Sequence, residues 1–172
     1  MSFVQIGGSP PPSFTDPVGI LLACHKRIAA QLEVLEGAAA ALDDRPEEAL
    51  VAAEGAIAWL ETDGARHTQD EDASFFPRLY GVADLLGDLN ADHRATEAIL
   101  LSVRTVLRSL RAELAPAVFP EARTHIAALA AAYRAHIADE EARFIPLARA
   151  LDEAELRAIG LEMRIRRGGD KL

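Results

Sequence analysis

Apolar residues recur at three- and four-residue intervals along most of the chain, the spacing of helices that bury one face. The first such stripe holds Leu21, Leu22, Ile28, Leu32 and Leu35; a later one holds Leu86, Leu89, Leu100 and Leu107; a third holds Leu129, Phe144 and Leu147. Prolines and acidic residues mark the breaks. Asp16-Pro17 supplies a cap and a first-turn proline for a helix running to about Leu42, and Asp43-Asp44-Arg45-Pro46-Glu47-Glu48 turns the chain. A second helix is predicted to about Pro77. A third starts between Val82 and Asp88 and ends near Leu114, and a fourth follows Pro120-Glu121 to about Pro146. A short fifth helix begins at Asp152, with Glu155 three residues on as in a capping box, and ends in Arg164-Ile165-Arg166-Arg167-Gly168-Gly169. The pattern predicts an all-α protein: an extended or mobile arm over residues 1–15, an up-down-up-down four-helix bundle over 16–150, and a short C-terminal helix and tail over 151–172.

Composition agrees with a helical chain and narrows its partners. Half of the 172 residues are hydrophobic but only 5% are aromatic, and much of the apolar content is Ala and Leu, strong helix formers. One domain of this size buries a continuous core. A formal charge of -9 offers no basic face for a phosphate backbone or an anionic membrane. Neither nucleic acid nor membrane is expected as a partner, and no protein partner is legible. The single cysteine, Cys24, allows no internal disulfide and no thiolate metal site. The first residues lack the basic start and apolar core of a signal peptide, so a cytoplasmic location is expected.

Chemistry enters through an internal repeat. His67-Thr-Gln-Asp-Glu71-Asp-Ala-Ser-Phe75-Phe-Pro77 aligns with His136-Ile-Ala-Asp-Glu140-Glu-Ala-Arg-Phe144-Ile-Pro146, matching His, Asp, Glu, Ala, Phe and Pro in register. His67 and His136 are 69 residues apart, and His25 and His93 are 68 apart. Two similar helical hairpins follow, each with a histidine on its first helix and a His-x-x-x-Glu pair on its second. From His25 down to the first turn is about 26 Å of helix, and from that turn up to His67 about 30 Å, so the two histidines stand at one height; the second hairpin repeats this.

The ligand-type residues lie in the apolar stripes: His25 with Leu21 and Ile28, His93 with Leu89 and Leu100, His136 with Leu129. Residues four apart share a helix face, so His67 and Glu71, His93 and Glu97, and His136 and Glu140 point together. Three buried carboxylates would each cost several kcal/mol without a counter-charge, and no Lys or Arg occupies those stripes near the histidines. A metal pair is the natural counter-charge. Four imidazoles and three carboxylates without thiolate suit iron, with manganese or zinc as substitutes. The metal-ligand candidates are therefore His25, His67, Glu71, His93, Glu97, His136 and Glu140. The His-x-x-x-Glu spacing differs from the Glu-x-x-His of ferritin-like bundles.

With the ordered set His25, His67-x-x-x-Glu71, His93, His136-x-x-x-Glu140 and the Phe-x-Pro endings, the chain from about Pro17 to Ala150 resembles the hemerythrin-like, or HHE cation-binding, proteins. That resemblance implies two iron ions with a bridging oxo or hydroxo group, Glu71 and Glu140 bridging, His25 and His67 on one iron, and His93 and His136 on the other. Glu97 stands where the oxygen-carrying hemerythrins place a further histidine, and Glu140 lies one residue closer to its histidine than in those carriers. Counted as a ligand, Glu97 brings two ferrous ions, three carboxylates and a hydroxide to zero net charge, which favours the ferric state and reduction of oxygen over its release.

A lone buried histidine is more often a hydrogen-bonded core residue than a ligand; four at matching heights are not readily read that way. Glu97 has no counterpart in the first hairpin, where Ala29 holds the equivalent place. Asp70 and Asp139 repeat at i+3 and are expected in solvated or supporting roles, with the stretch from Asp70 to Asp72 a solvated helix edge. His125 lies three turns, about 16 Å, from His136, out of reach. Tyr133 reads as a core tyrosine that could face a metal-bound ligand. The expected function is a non-haem di-iron protein that binds or reduces oxygen, nitric oxide or peroxide. The alternative is a non-catalytic iron or oxygen sensor acting through a protein partner.

Overall fold

A computed structural model describes residues 13–168. Every regular element among them is helical: α1 Pro17–Ala41, α2 Pro46–Trp59, α3 Ala65–Asp70, α4 Ala83–Ala112, α5 Phe119–Asp139, α6 Ile145–Arg149 and α7 Glu153–Arg166. Most of the expected N-terminal arm and the end of the C-terminal tail lie outside the described residues. The capping signals operate as their chemistry dictates. Asp16 accepts from the Gly19 amide at 2.9 Å and Asp152 from the Glu155 amide at 2.8 Å, each satisfying a donor that a helix start leaves open.

Contacts close a ring: α1 packs on α2 and α5, and α4 packs on α5 and α2. The fifth long element, α7, lies against α1 and the segment following α3. No helix among the described residues is long and apolar enough to cross a membrane.

Two of the expected helices are interrupted. Glycine-containing Leu60–Gly64 forms a π turn between α2 and α3, where Thr62 Oγ1 donates back to the Ala58 carbonyl at 2.8 Å, a bond that bends helices. Glu71–Phe75 forms a second, and Glu140–Phe144 a third between α5 and α6. Both of the latter precede a proline. Pro77 and Pro146 offer no N–H to the carbonyl four residues back and crowd it, so the preceding turn widens.

The core is divided into two apolar layers. One contains Leu21, Cys24, Phe75, Phe76, Leu89, Phe144, Ile159 and Met163. The other contains Ile28, Leu32, Leu60, Leu100, Ile126 and Leu129. In every long bundle helix the changeover falls at a candidate ligand: at His25 in α1, from His67 to Glu71 beyond Leu60, at His93 between Leu89 and Leu100, and from His136 to Glu140 between Leu129 and Phe144. A polar stratum is thereby sandwiched between two dry ones, the arrangement in which an unpaired charge is most costly.

Candidate metal centre

The stratum is built from two pairs of elements related by the sequence repeat. Glu71 and Glu140 each stand at the first position of a π turn and are fully buried, as are the phenylalanines that close these turns, Phe75 and Phe144, which meet edge to face at 5.8 Å. His25, His67 and His136 are buried and His93 nearly so.

Across the stratum, each first-helix histidine meets the carboxylate of the other hairpin. His25 Nε2 lies 3.3 Å from Glu140 Oε2, and His93 Nε2 lies 3.4 Å from Glu71 Oε2. Each second-helix histidine meets the carboxylate of its own helix: His67 Nε2 is 3.5 Å from Glu71 Oε1, and His136 Nε2 is 3.2 Å from Glu140 Oε1. Two sets of four candidate ligands result, His25, His67, Glu71 and Glu140, and His93, His136, Glu71 and Glu140; within each set the ligand atoms lie within 4.8 Å of one another. Glu71 and Glu140 belong to both.

The remaining ring nitrogens explain how the imidazoles are aimed. His25 Nδ1 is 3.0 Å from Glu141 Oε1 and His93 Nδ1 is 3.1 Å from Asp72 Oδ1. These acids occupy the same register, directly after Glu140 and Glu71, and each again crosses to the opposite hairpin. Such a carboxylate fixes the tautomer and turns Nε2 inward. The sequence carries this signal in Asp70-Glu71-Asp72 aligned with Asp139-Glu140-Glu141, and Asp72, expected on a solvated edge, instead meets His93.

A metal fits the donor set. His25 Nε2, His67 Nε2, His93 Nε2 and all four oxygens of Glu71 and Glu140 are buried without a hydrogen-bond partner, and they converge on one another. So many orphaned groups in one place call for a cation. The protonation pattern of the protein's own groups says the same. Burial and the charge of Glu140 hold the Glu71 carboxyl well above the usual carboxylate range. Burial would also raise Glu140, but the close approach of the His136, His25 and His93 imidazoles outweighs it and holds that carboxyl well below. Without a shared cation, two adjacent buried carboxylates do not both ionise. Burial pushes His67 down to about 3, whereas for His93 the hydrogen bond to Asp72 and the nearby Glu140 and Glu71 carboxylates overcome burial and raise it to about 11.

Proton release on metal binding follows. At pH 7 His67 is already neutral, while His93 carries a proton that a metal must displace, because ligands bind deprotonated. Binding of ferrous or cobalt ions at pH 7 is expected to release at least one proton per chain, and affinity is expected to fall as pH falls. Indicator-dye titration in weak buffer measures this; a yield unchanged by His93→Gln would remove His93 from the ligand set.

Glu97 is the one candidate that the structure does not bring in. It is exposed and outside both four-ligand sets. The inward stripe of α4 runs Leu89, His93, Thr96, Leu100, Val103, Leu107, so Thr96 takes the core position and Glu97 falls beside it. Glu71 and Glu140, each one α-helical turn past its histidine, are by contrast fully buried. Asp70 also departs from expectation: it is fully buried rather than solvated, held by Arg166 and Arg167. Asp139 pairs with Arg143 at the surface, and His125 lies outside the site, 3.8 Å from Glu121.

A cavity of about 710 Å³ reaches the stratum from one side. His67, His93 and His136 line it together with Glu97, Tyr133 and Arg104. A family model for the hemerythrin HHE cation binding domain matches residues 16–148. The chain belongs to the hemerythrin HHE family. The matched span contains all seven candidate ligands and stops short of α7. Of the curated proteins compared with this HHE chain, none matches.

Proposed function

We propose that this HHE protein holds two iron ions between Glu71 and Glu140 and binds or reduces oxygen, nitric oxide or peroxide there. The observation that carries the reading is the pair of four-ligand sets sharing two fully buried carboxylates. His25 and His67 would serve one ion, His93 and His136 the other, within an up-down-up-down bundle. Iron so held supplies reversible one-electron chemistry and open coordination positions for a small ligand.

The protein's own residues govern access and protons. The cavity leads to three of the four histidines and is far larger than a diatomic molecule, so ligand and water enter by that side. Tyr133, one turn before His136, lines it. Burial, then the charge of Glu97, pushes its phenol up to about 12, so at neutral pH Tyr133 is a hydrogen-bond donor facing the cavity that Glu97 also lines. Glu97 is thereby reassigned from iron ligand to proton-handling group at the cavity. With only two carboxylates on the metals, the charge count no longer favours the ferric state through Glu97.

Stopped-flow absorbance of the anaerobic ferrous protein mixed separately with oxygen, nitric oxide and hydrogen peroxide tests the reading; spectra unchanged by all three overturn it. Glu97→Gln is expected to retain both irons while slowing the peroxide reaction by about tenfold, below the usual range for a positioned acid or base. Loss of one iron from that variant would restore Glu97 to the ligand set.

A further inference from the structure

The repeat predicts equivalent surroundings for Asp70 and Asp139, and α7 breaks that equivalence. Asp139 is half-buried beside Arg143 of its own helix segment. Asp70 is fully buried, and both its oxygens are taken by guanidinium groups from the end of α7. Arg166 Nη1 donates to Oδ1. Arg167 donates to Oδ2 from Nε at 3.0 Å and from Nη2 at 2.6 Å.

The same two arginines reach further into the stratum's supports. Arg166 Nη2 donates to Ser74 Oγ at 3.0 Å, and Arg167 Nη2 lies 3.7 Å from Cys24 Sγ, next to His25 in sequence. From the other direction, Arg78 donates to the Ser74 carbonyl at 2.5 Å and to Glu155 and Glu162 of α7 at 2.5 and 2.7 Å. Asp70 immediately precedes Glu71, and Ser74 lies in the π turn that Glu71 opens. Met163 and Ile159 anchor α7 in the apolar layer below, and Gly160 lets it approach the Phe14 carbonyl so closely that a Cβ there would overlap the oxygen.

We propose that α7 is a clamp outside the matched HHE region, and that Asp70, Arg166 and Arg167 are positioning residues which fix the Glu71 bridge and slow metal loss from the His25–His67 side. The inference rests on the two-metal reading above. The cavity opens at His67, His93 and His136, whereas α7 covers Asp70 and Cys24, so the clamp closes a different flank from the one that admits ligand. A charged fork at a guanidinium–carboxylate contact holds direction as well as distance, which is what a bridging carboxylate needs from its neighbour.

The test uses full-length protein loaded with cobalt(II), challenged with excess EDTA at pH 7 and followed by the cobalt visible bands. The Arg166→Gln, Arg167→Gln double variant and the milder Arg167→Gln variant are compared with Met163→Ala, which weakens the apolar packing of α7 but keeps both arginines that hold Asp70. Release is expected to be about 10- to 100-fold faster in the double variant, intermediate in the single one, and within about threefold of the unmutated protein in Met163→Ala at equal distance below each melting temperature. Arg166→Lys with Arg167→Lys is expected to recover part of the retention, because lysine keeps the charge but not the fork. Equal release from clamp variants and Met163→Ala, or unchanged release in Arg167→Gln, would reduce α7 to a packing element. Fewer than two cobalt ions per unmutated chain would instead overturn the two-metal reading itself.

Discussion

Replacing either Glu71 or Glu140 with alanine is expected to empty both metal positions, taking the protein from about two irons per chain to nearly none. The expectation comes from sharing: each carboxylate belongs to both four-ligand sets, so its loss removes a donor from each ion and leaves the partner glutamate to hold two cations alone. By contrast, alanine at His25 or His136 removes a donor from one set only, and such variants are expected to keep part of the metal. Elemental analysis of protein purified after growth with added iron makes the comparison. A Glu71→Ala or Glu140→Ala protein that kept two irons would show that the shared carboxylates do not bridge.

Removal of the metals is expected to lower the melting temperature by about 8–16 °C. The estimate follows from mass action: at a free metal concentration about a thousand times the dissociation constant, binding to the folded state alone contributes about 4 kcal/mol, and a chain of this length shifts by about 2–4 °C for each kcal/mol. What remains in the stripped protein is a buried layer of polar groups lacking partners. Part of the cost is relieved because burial and the charge of Glu140 raise the Glu71 carboxyl, favouring its neutral form when no cation is present. Calorimetry before chelation, after it, and after returning ferrous ion provides the measurement. Equal melting temperatures, or no recovery on return of iron, would detach these carboxylates from a buried metal site.

Both expectations draw on the core layering. A metal clamped between apolar layers is shielded from exchange, and one side must open for a ligand to arrive. Here the open side lies along α4 and α5, where His93, Thr96, Tyr133 and His136 line the cavity.

By itself the sequence determined the helical content, the caps at Asp16 and Asp152, the family and the identity of six of the residues that converge. These are local or periodic properties: a proline ends a helix wherever it stands, and a His-x-x-x-Glu pair shares a face in any helix. Tertiary structure alone decided what depends on rotational phase and on contacts between distant segments. Glu71 and Glu140 are buried together with Phe75 and Phe144 where the helices enter the π turns before Pro77 and Pro146, while α4 leaves Glu97 exposed and buries Thr96. Asp72 and Glu141 look like ordinary surface acids until the opposite hairpin brings His93 and His25 against them. Asp70 and Arg166, 96 residues apart, meet only because α7 folds back over the first hairpin, and a short-range pattern holds no record of which surface a later helix will cover.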